Sequence, residues 1–231
     1  MSFRAADAVV ACSQAVGDCV PEARPEIIYG GIEACSCLPP PPECDGPLTL
    51  GVLGRLIPLK NVGAVIKAAA GLAEREIEVR VEIAGSGPSE PGLRELAKSL
   101  KVTQRVRFLG WQTDIPSLLK TWDVLVAPSL EEGMGMSVLE AMAAARPVVA
   151  SRVGGLGELV VDGVTGMLVP AGDTDALIAC LANLANDRRK LALMGREGWK
   201  RVHEHFSAEL MARRTTELYD RLLNQEMRPG A

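Results

Sequence analysis

A chain of 231 residues that is 48% apolar is long enough for one large or two small domains around a sizeable core. Its formal charge of −4 comes without any clustered basic face, which argues against a nucleic-acid partner. No apolar run approaches the ~18 to 20 residues of a membrane span and the N-terminus lacks a basic-then-apolar leader, so the expected location is cytoplasmic.

Residues 1 to about 46 read as a lead-in to a domain. A short strand is expected over residues 7–12, a weak helix over 14–20 and a second strand over 25–32 that ends on Gly30 and Gly31. The four prolines at 39–42 must be extended linker. Five of the six cysteines (Cys12, Cys19, Cys35, Cys37 and Cys44) fall in this region, yet no pair has the Cys-x-x-Cys spacing of a zinc site. They read as reduced thiols, and His203 and His205, two apart in a charged stretch, as surface residues rather than ligands.

From residue 48 apolar strands alternate with amphipathic helices, the pattern of a parallel sheet covered by helices. Strands are expected at residues 48–54, 77–84, 106–109, 124–127, 147–151 and 167–169. Helices fall at 62–73, 92–100, 115–121, 136–145 and 156–161. After the last strand the chain turns helical from 174 to about 225, with breaks near Asp187 and Ser207. The fold class is therefore α/β: a doubly wound, Rossmann-like parallel sheet over residues 47–206, with a helical C-terminal cover that ends in a separate helix over 207–231.

Such sheets bind ligands beyond the carboxyl ends of their strands, so the loops after strands are where chemistry is sought. The first carries Gly54, Arg55 and Lys60, two cations that suit a diphosphate or serve as ordinary loop charges. The second, Gly85-Ser86-Gly87-Pro88, allows close backbone approach but is no dinucleotide fingerprint, because Pro88 and Glu90 break the pattern. The third is Gly110-Trp111-Gln112, where the indole either meets a nucleobase or packs into the core. In the fourth, Glu132-Gly133-Met134-Gly135-Met136, a glycine turn opens a helix whose first amides attract anions, and Glu140 follows one turn in. On an ideal wheel Val138, Leu139 and Met142 share one side and Met136 and Glu140 the other, so Glu140 is free to offer acceptors to sugar hydroxyls or simply to be solvated. Asp173-Thr174-Asp175 has the form of a metal-binding acidic pair, but its position before an apolar-periodic helix favours an N-cap at Asp173. Gly154-Gly155 lines the ligand mouth or makes a plain turn.

Taken in order, Gly54-Arg55-(x4)-Lys60, Gly85-x-Gly87-Pro88, Val106-x-Phe108-Leu109-Gly110, Glu132-Gly133-x-Gly135-(x4)-Glu140-Ala141-Met142-Ala143, Pro147-Val148-Val149-Ala150 and Asp162-Gly163-x-x-Gly166 resemble the C-terminal half of a retaining glycosyltransferase of family 4, group 1, with the GT-B fold. The resemblance runs from residue 48 to 206. It implies a sugar-nucleotide donor, uridine- or guanosine-linked, bound by Gly54, Arg55, Lys60, Gly110, Glu132, Gly133, Met134, Gly135, Met136 and Glu140. Arg55 and Lys60 would hold the diphosphate, Glu132 the sugar hydroxyls, the glycine-loop amides the sugar-phosphate and Glu140 the ribose, with Glu132, Arg55 and Lys60 as the catalytic set. It also implies that no metal or other cofactor is needed. Two departures stand out: Met134 where the family often has an aromatic, and Gly30-Gly31 where it usually has Asn-Gly. By the same resemblance residues 1–46 are the remnant and linker of an N-terminal domain that holds an acceptor of unknown identity and would make any peripheral membrane contact. A donor-binding domain excised from a longer protein, or the product of a truncated gene, would transfer poorly alone. The alternative is a nucleotide-sugar-binding module or subunit without turnover of its own.

Overall fold

The computed structural model describes residues 6–33, 36–41 and 46–226. Two short segments open the chain, β1 (Val10–Ala11) and, after the one-turn helix α1 (Gln14–Gly17), β2 (Glu26–Ile27). They pair in parallel, Val10 opposite Glu26 and Ala11 opposite Ile27. Cys35, Cys44 and the Pro42 end of the proline run lie outside the described residues; Cys12, Cys19 and Cys37 are free and exposed.

The sheet domain follows as β3 (Leu48–Leu53), α2 (Gly63–Ala73), β4 (Val79–Ala84), α3 (Glu90–Ser99), β5 (Val106–Gly110), α4 (Ile115–Lys120) and β6 (Val124–Ala127). It continues through α5 (Met136–Ala143), β7 (Val148–Ser151), the short α6 (Leu156–Leu159) and β8 (Gly166–Val169). Three helices close the chain: α7 (Thr174–Ala185), α8 (Arg188–His205) and α9 (Ala208–Glu226). Asp173 caps α7 through its carboxylate to the Ala176 amide at 2.9 Å, and Asp187 caps α8 through Lys190 at 3.0 Å. Asp173 thus takes the N-cap role that its place before the helix predicts. No helix among the described residues is long and apolar enough to cross a membrane.

Six strands form one fully parallel sheet in the order β5-β4-β3-β6-β7-β8. The chain first winds outward from β3 through β4 to β5, then returns to the other side of β3 with β6. Strand order therefore reverses between β3 and β6, and this crevice is where a doubly wound sheet binds its ligand. Fully buried Val124, Leu125 and Val126 in β6 and Val148 to Ala150 in β7 show why these runs are continuously apolar: both faces are covered. One face packs on α2, α3 and α7 through Val65, Ile66, Leu72, Leu177 and Leu181. The other packs on α5, α6 and α8 through Leu139, Met142, Leu156, Val202 and Trp122.

Three helices end in the same way, α5 short of its expected end. Instead of reaching residue 145, α5 stops at Ala143, where Ala145 turns left-handed (φ 54°) and the amides of Ala145 and Arg146 bond back to Met142 and Ala141. This Schellman closure normally takes glycine. It recurs at Glu76 after α2 and Lys101 after α3, with φ of 59° and 57°, so none of the three stops carries the usual sequence signal.

Trp122 fixes the centre of the sheet. Its ring is buried over Gly51 in β3, where an added Cβ would sit 1.9 Å from the ring, and its indole N–H donates to Glu82 at 3.0 Å. Gly51→Ala forces the ring out of a packed core and should lower stability by about 1–3 kcal/mol, read as a drop in the urea midpoint. Gly92→Ala, in open space within α3, should instead leave it unchanged or raise it by up to ~1 kcal/mol.

Candidate functional site

Four strand-end loops surround a cavity of about 920 Å³ at the switch point. Gly54, Arg55 and Lys60 come from the loop after β3, Gly85 and Ser86 from that after β4, and Trp111, Gln112 and Thr113 from that after β5. The segment from Glu132 to Ser137, with Glu140, supplies the wall after β6. Its volume falls within the range that holds a small organic ligand.

Bare backbone holds the loops in place. Gly54 has a φ of 146°, and an added Cβ on Gly85 would lie 1.8 Å from the Gly54 carbonyl oxygen. Across the crevice a Cβ on Gly154 would lie 1.9 Å from the Glu132 carbonyl oxygen, and one on Gly155 2.4 Å from that of Gly133. The Gly155 amide donates to the Glu132 carbonyl at 3.1 Å. Gly154 and Gly155 are therefore neither a plain turn nor part of the cavity wall; they are the seat under the Glu132 loop.

Lys60 and Glu132 meet because the two loops are tied. The Leu130 amide donates to the Leu59 carbonyl at 2.8 Å, and Lys60, the residue after Leu59, donates through Nζ to Oε2 of Glu132, two residues after Leu130. Ser129 Oγ reaches the same carboxylate oxygen at 3.4 Å. Arg55, exposed on the same rim, has no hydrogen-bond or ion-pair partner among the described residues. An anion entering between them finds one uncommitted guanidinium and one ammonium already shared with a carboxylate.

Helix α5 starts here without a side-chain cap. Gly135 is its N-cap in the left-handed conformation (φ 90°, ψ 56°), and a Cβ there would meet Leu156 at 2.5 Å. The amides of Val138 and Leu139 bond to the Gly135 carbonyl, which leaves those of Met136 and Ser137 ahead of the ladder and at the cavity. As the wheel predicts, Val138, Leu139 and Met142 are buried while Met136 is exposed. Glu140 is half-buried on the Met136 side, with no side-chain partner among the described residues, and burial raises its pKa above the ordinary carboxylate value.

Of the expected site residues, all but one line the cavity. Gly110 stands just behind it, with a φ of 67° and a carbonyl that accepts the Gly85 amide at 2.8 Å. Trp111 is 75% exposed on the rim, which removes core packing as its role. Sequence reasoning did not single out Ser86, Thr113, Ile115 or Ser137 as lining residues. Ser86 and Thr113 stand in loops that follow strands, and Ile115 and Ser137 in the first turns of α4 and α5. Among the described residues no group of three or more His, Cys, Asp or Glu could hold a metal ion.

A family model described as glycosyl transferases group 1 matches residues 47–187. Among curated relatives, the D-inositol 3-phosphate glycosyltransferase of Salinispora tropica is 38% identical over 179 residues, covering 72% of this chain and 37% of that protein. The N-acetyl-alpha-D-glucosaminyl L-malate synthase of Bacillus anthracis is 31% identical over 168 residues, 73% of this chain and 44% of that one. The chain thus spans about half or less of the length of the curated relatives it matches. In structure it is similar to Anabaena Alr3699/HepE in complex with UDP-glucose, with a TM-score of 0.85 at 26% identity over 94% of this chain and 64% of that one. A sucrose-phosphate synthase from Thermosynechococcus elongatus superposes with a TM-score of 0.86 at 25% identity, over 96% of this chain and 60% of the other.

Glu140 yields a test that needs no ligand. Because its pKa is raised in the folded state, its ionised form costs stability; that cost is absent below the unfolded value of about 4.3 and grows as pH rises through the folded one. Glu140→Gln should therefore raise the urea midpoint at pH 7 and match the wild type near pH 4. An equal midpoint at both pH values would show that the carboxylate is solvated.

Proposed function

The chain belongs to the group 1 glycosyl transferases, and from that premise we propose that its carboxyl-edge cavity is the donor site of a retaining, metal-independent glycosyl transfer, with a uridine-diphosphate sugar as donor. One observation carries this reading. Four loops bring an arginine and a carboxylate without partners among the described residues, a lysine–glutamate pair and open helix amides around a single cavity of about 920 Å³. Relatives of the same fold supply the base, since the Anabaena neighbour is described with UDP and with UDP-glucose.

Roles follow from the chemistry at each wall. Arg55 grips the diphosphate through paired charge-assisted hydrogen bonds, and Lys60 adds a point charge that it shares with Glu132. Glu132, held by Lys60, accepts from the hydroxyls of the transferred sugar. Glu140 accepts from the ribose hydroxyls, and binding offsets the burial cost of its charge. The Trp111 ring offers a face to the base. As the bond from the anomeric carbon to the diphosphate oxygen breaks, charge builds on the departing phosphate. Arg55, Lys60 and the first amides of α5 stabilise it without a metal ion. An acceptor site on a further, N-terminal domain completes the cleft.

Titration calorimetry of this chain against UDP, GDP and their glucose conjugates tests the reading. Binding of a uridine-linked donor, unchanged by EDTA, is expected. Arg55→Ala should weaken it by about ten- to a hundredfold and Glu140→Ala by about tenfold, the usual scale for hydrogen bonds to charged groups. No heat with any of the four would overturn the donor assignment.

A further inference from the structure

We infer that Ser13, in the N-terminal segment, is a positioning residue for the Glu132–Gly133 loop, and that Glu158 is the latch that keeps it in register. Ser13 is completely buried, 120 residues in sequence from the loop it touches. Its hydroxyl accepts the Val16 amide at 3.2 Å and donates to the Gly133 carbonyl at 2.6 Å, so its one proton is committed to the donor loop. The same carbonyl lies close against Gly155, where an added Cβ would sit 2.4 Å from it. Gly133 thus meets both the Gly155 backbone and the Ser13 hydroxyl.

A four-residue helix cannot hold such a hydroxyl in place by itself. Glu158 in α6 does so from outside. Its carboxylate accepts the Gln14 amide at 2.9 Å, the Ala15 amide at 2.8 Å and the Tyr29 hydroxyl at 2.8 Å, which neutralises two open amides of α1 and ties in the chain after β2. Arg201 in α8 fixes α6 in turn, donating to the Glu158 and Leu159 carbonyls at 2.8 Å each. A continuous line of hydrogen bonds therefore runs from α8 through Glu158 and α1 to the residue beside Glu132. Neither Ser13 nor Glu158 lines the cavity, so both act on the ligand only through the loop.

The consequence for ligand affinity rests on the donor reading above; the control of the loop does not. Glu132 and the Gly133 turn face the sugar-phosphate end of the proposed donor, while Glu140 and Trp111 face the nucleoside. Loss of the Ser13 hydroxyl should therefore weaken a ligand that reaches the loop and spare one that does not.

The experiment measures amide hydrogen exchange of the ligand-free chain and calorimetric affinity for UDP-glucose and UMP, in wild type and Ser13→Ala. Exchange at the Leu130 and Gly155 amides, which tie this loop to Leu59 and Glu132, should rise about tenfold with β7 unchanged, and UDP-glucose should bind about tenfold more weakly with UMP within about twofold, as for one lost hydrogen bond. Unchanged exchange at Leu130 and Gly155, an equal rise in β7, or equal weakening of both ligands overturns the inference. If Ser13→Ala does not fold, Glu158→Gln should give the same pattern through α1. If the wild type binds neither ligand, the donor reading fails, and the exchange data alone still decide whether Ser13 controls the loop.

Discussion

Backbone packed directly on backbone is the constraint on which this site depends. At the carboxyl edge of the sheet Gly154 and Gly155 lie under the Glu132–Gly133 carbonyls, and Gly85 and Gly87 lie against Gly54 and Leu56. At each contact a single methyl group would be too close, so the loops cannot slide past one another without separating. Their rigidity lets two loops from different strands bring Lys60 onto Glu132 and leave the first amides of α5 open to the cavity. Preorganised groups of this kind cost nothing further when charge develops beside them.

The cavity lining carries two electrostatic features. In one, Lys60 and Glu132 neutralise each other while Arg55 stands without a partner among the described residues, giving a net positive rim beside the helix amides. In the other, Glu140 is partly desolvated with no side-chain partner among the described residues, and the exposed Trp111 indole lines the same cavity. A ligand with an anionic middle and hydroxyl-rich ends fits that division, which is why the proposed donor is a nucleoside-diphosphate sugar rather than a simple phosphate ester.

Residues before the sheet domain belong to the same packed body. The Ile32 amide donates to the Phe206 carbonyl at 3.0 Å and the Ala208 amide to the Ile32 carbonyl at 3.1 Å, so the chain entering the sheet domain crosses the chain leaving it. The crossing is tight enough that a Cβ on Gly31 would lie 2.5 Å from the Ser207 carbonyl oxygen. The neighbouring Gly30 faces α5 instead, where a Cβ would lie 3.1 Å from Met136 Sδ. Ser13 and Tyr29 reach Gly133 and Glu158 from the same segment.

By itself the sequence determined the alternation of strands and helices, the parallel sheet and most of the cavity wall. Apolar runs such as residues 124–127 and the wheel of α5 record burial on both faces of a sheet and on one face of a helix, and those periods are local. Motif order did the same for Arg55, Lys60, Glu132 and Glu140. Only the tertiary structure decided that α5 ends at Ala143, because a left-handed alanine carries no signal until the next strand fixes it. It also decided that Lys60 is paired while Arg55 has no partner among the described residues, that Trp111 is exposed, that Gly110 backs the cavity rather than lining it, and that Ser13 bonds to Gly133 and Glu158 to the Ala15 amide. Each of these is a contact between residues dozens to more than a hundred positions apart, or a measure of what surrounds one residue, and no local period encodes either.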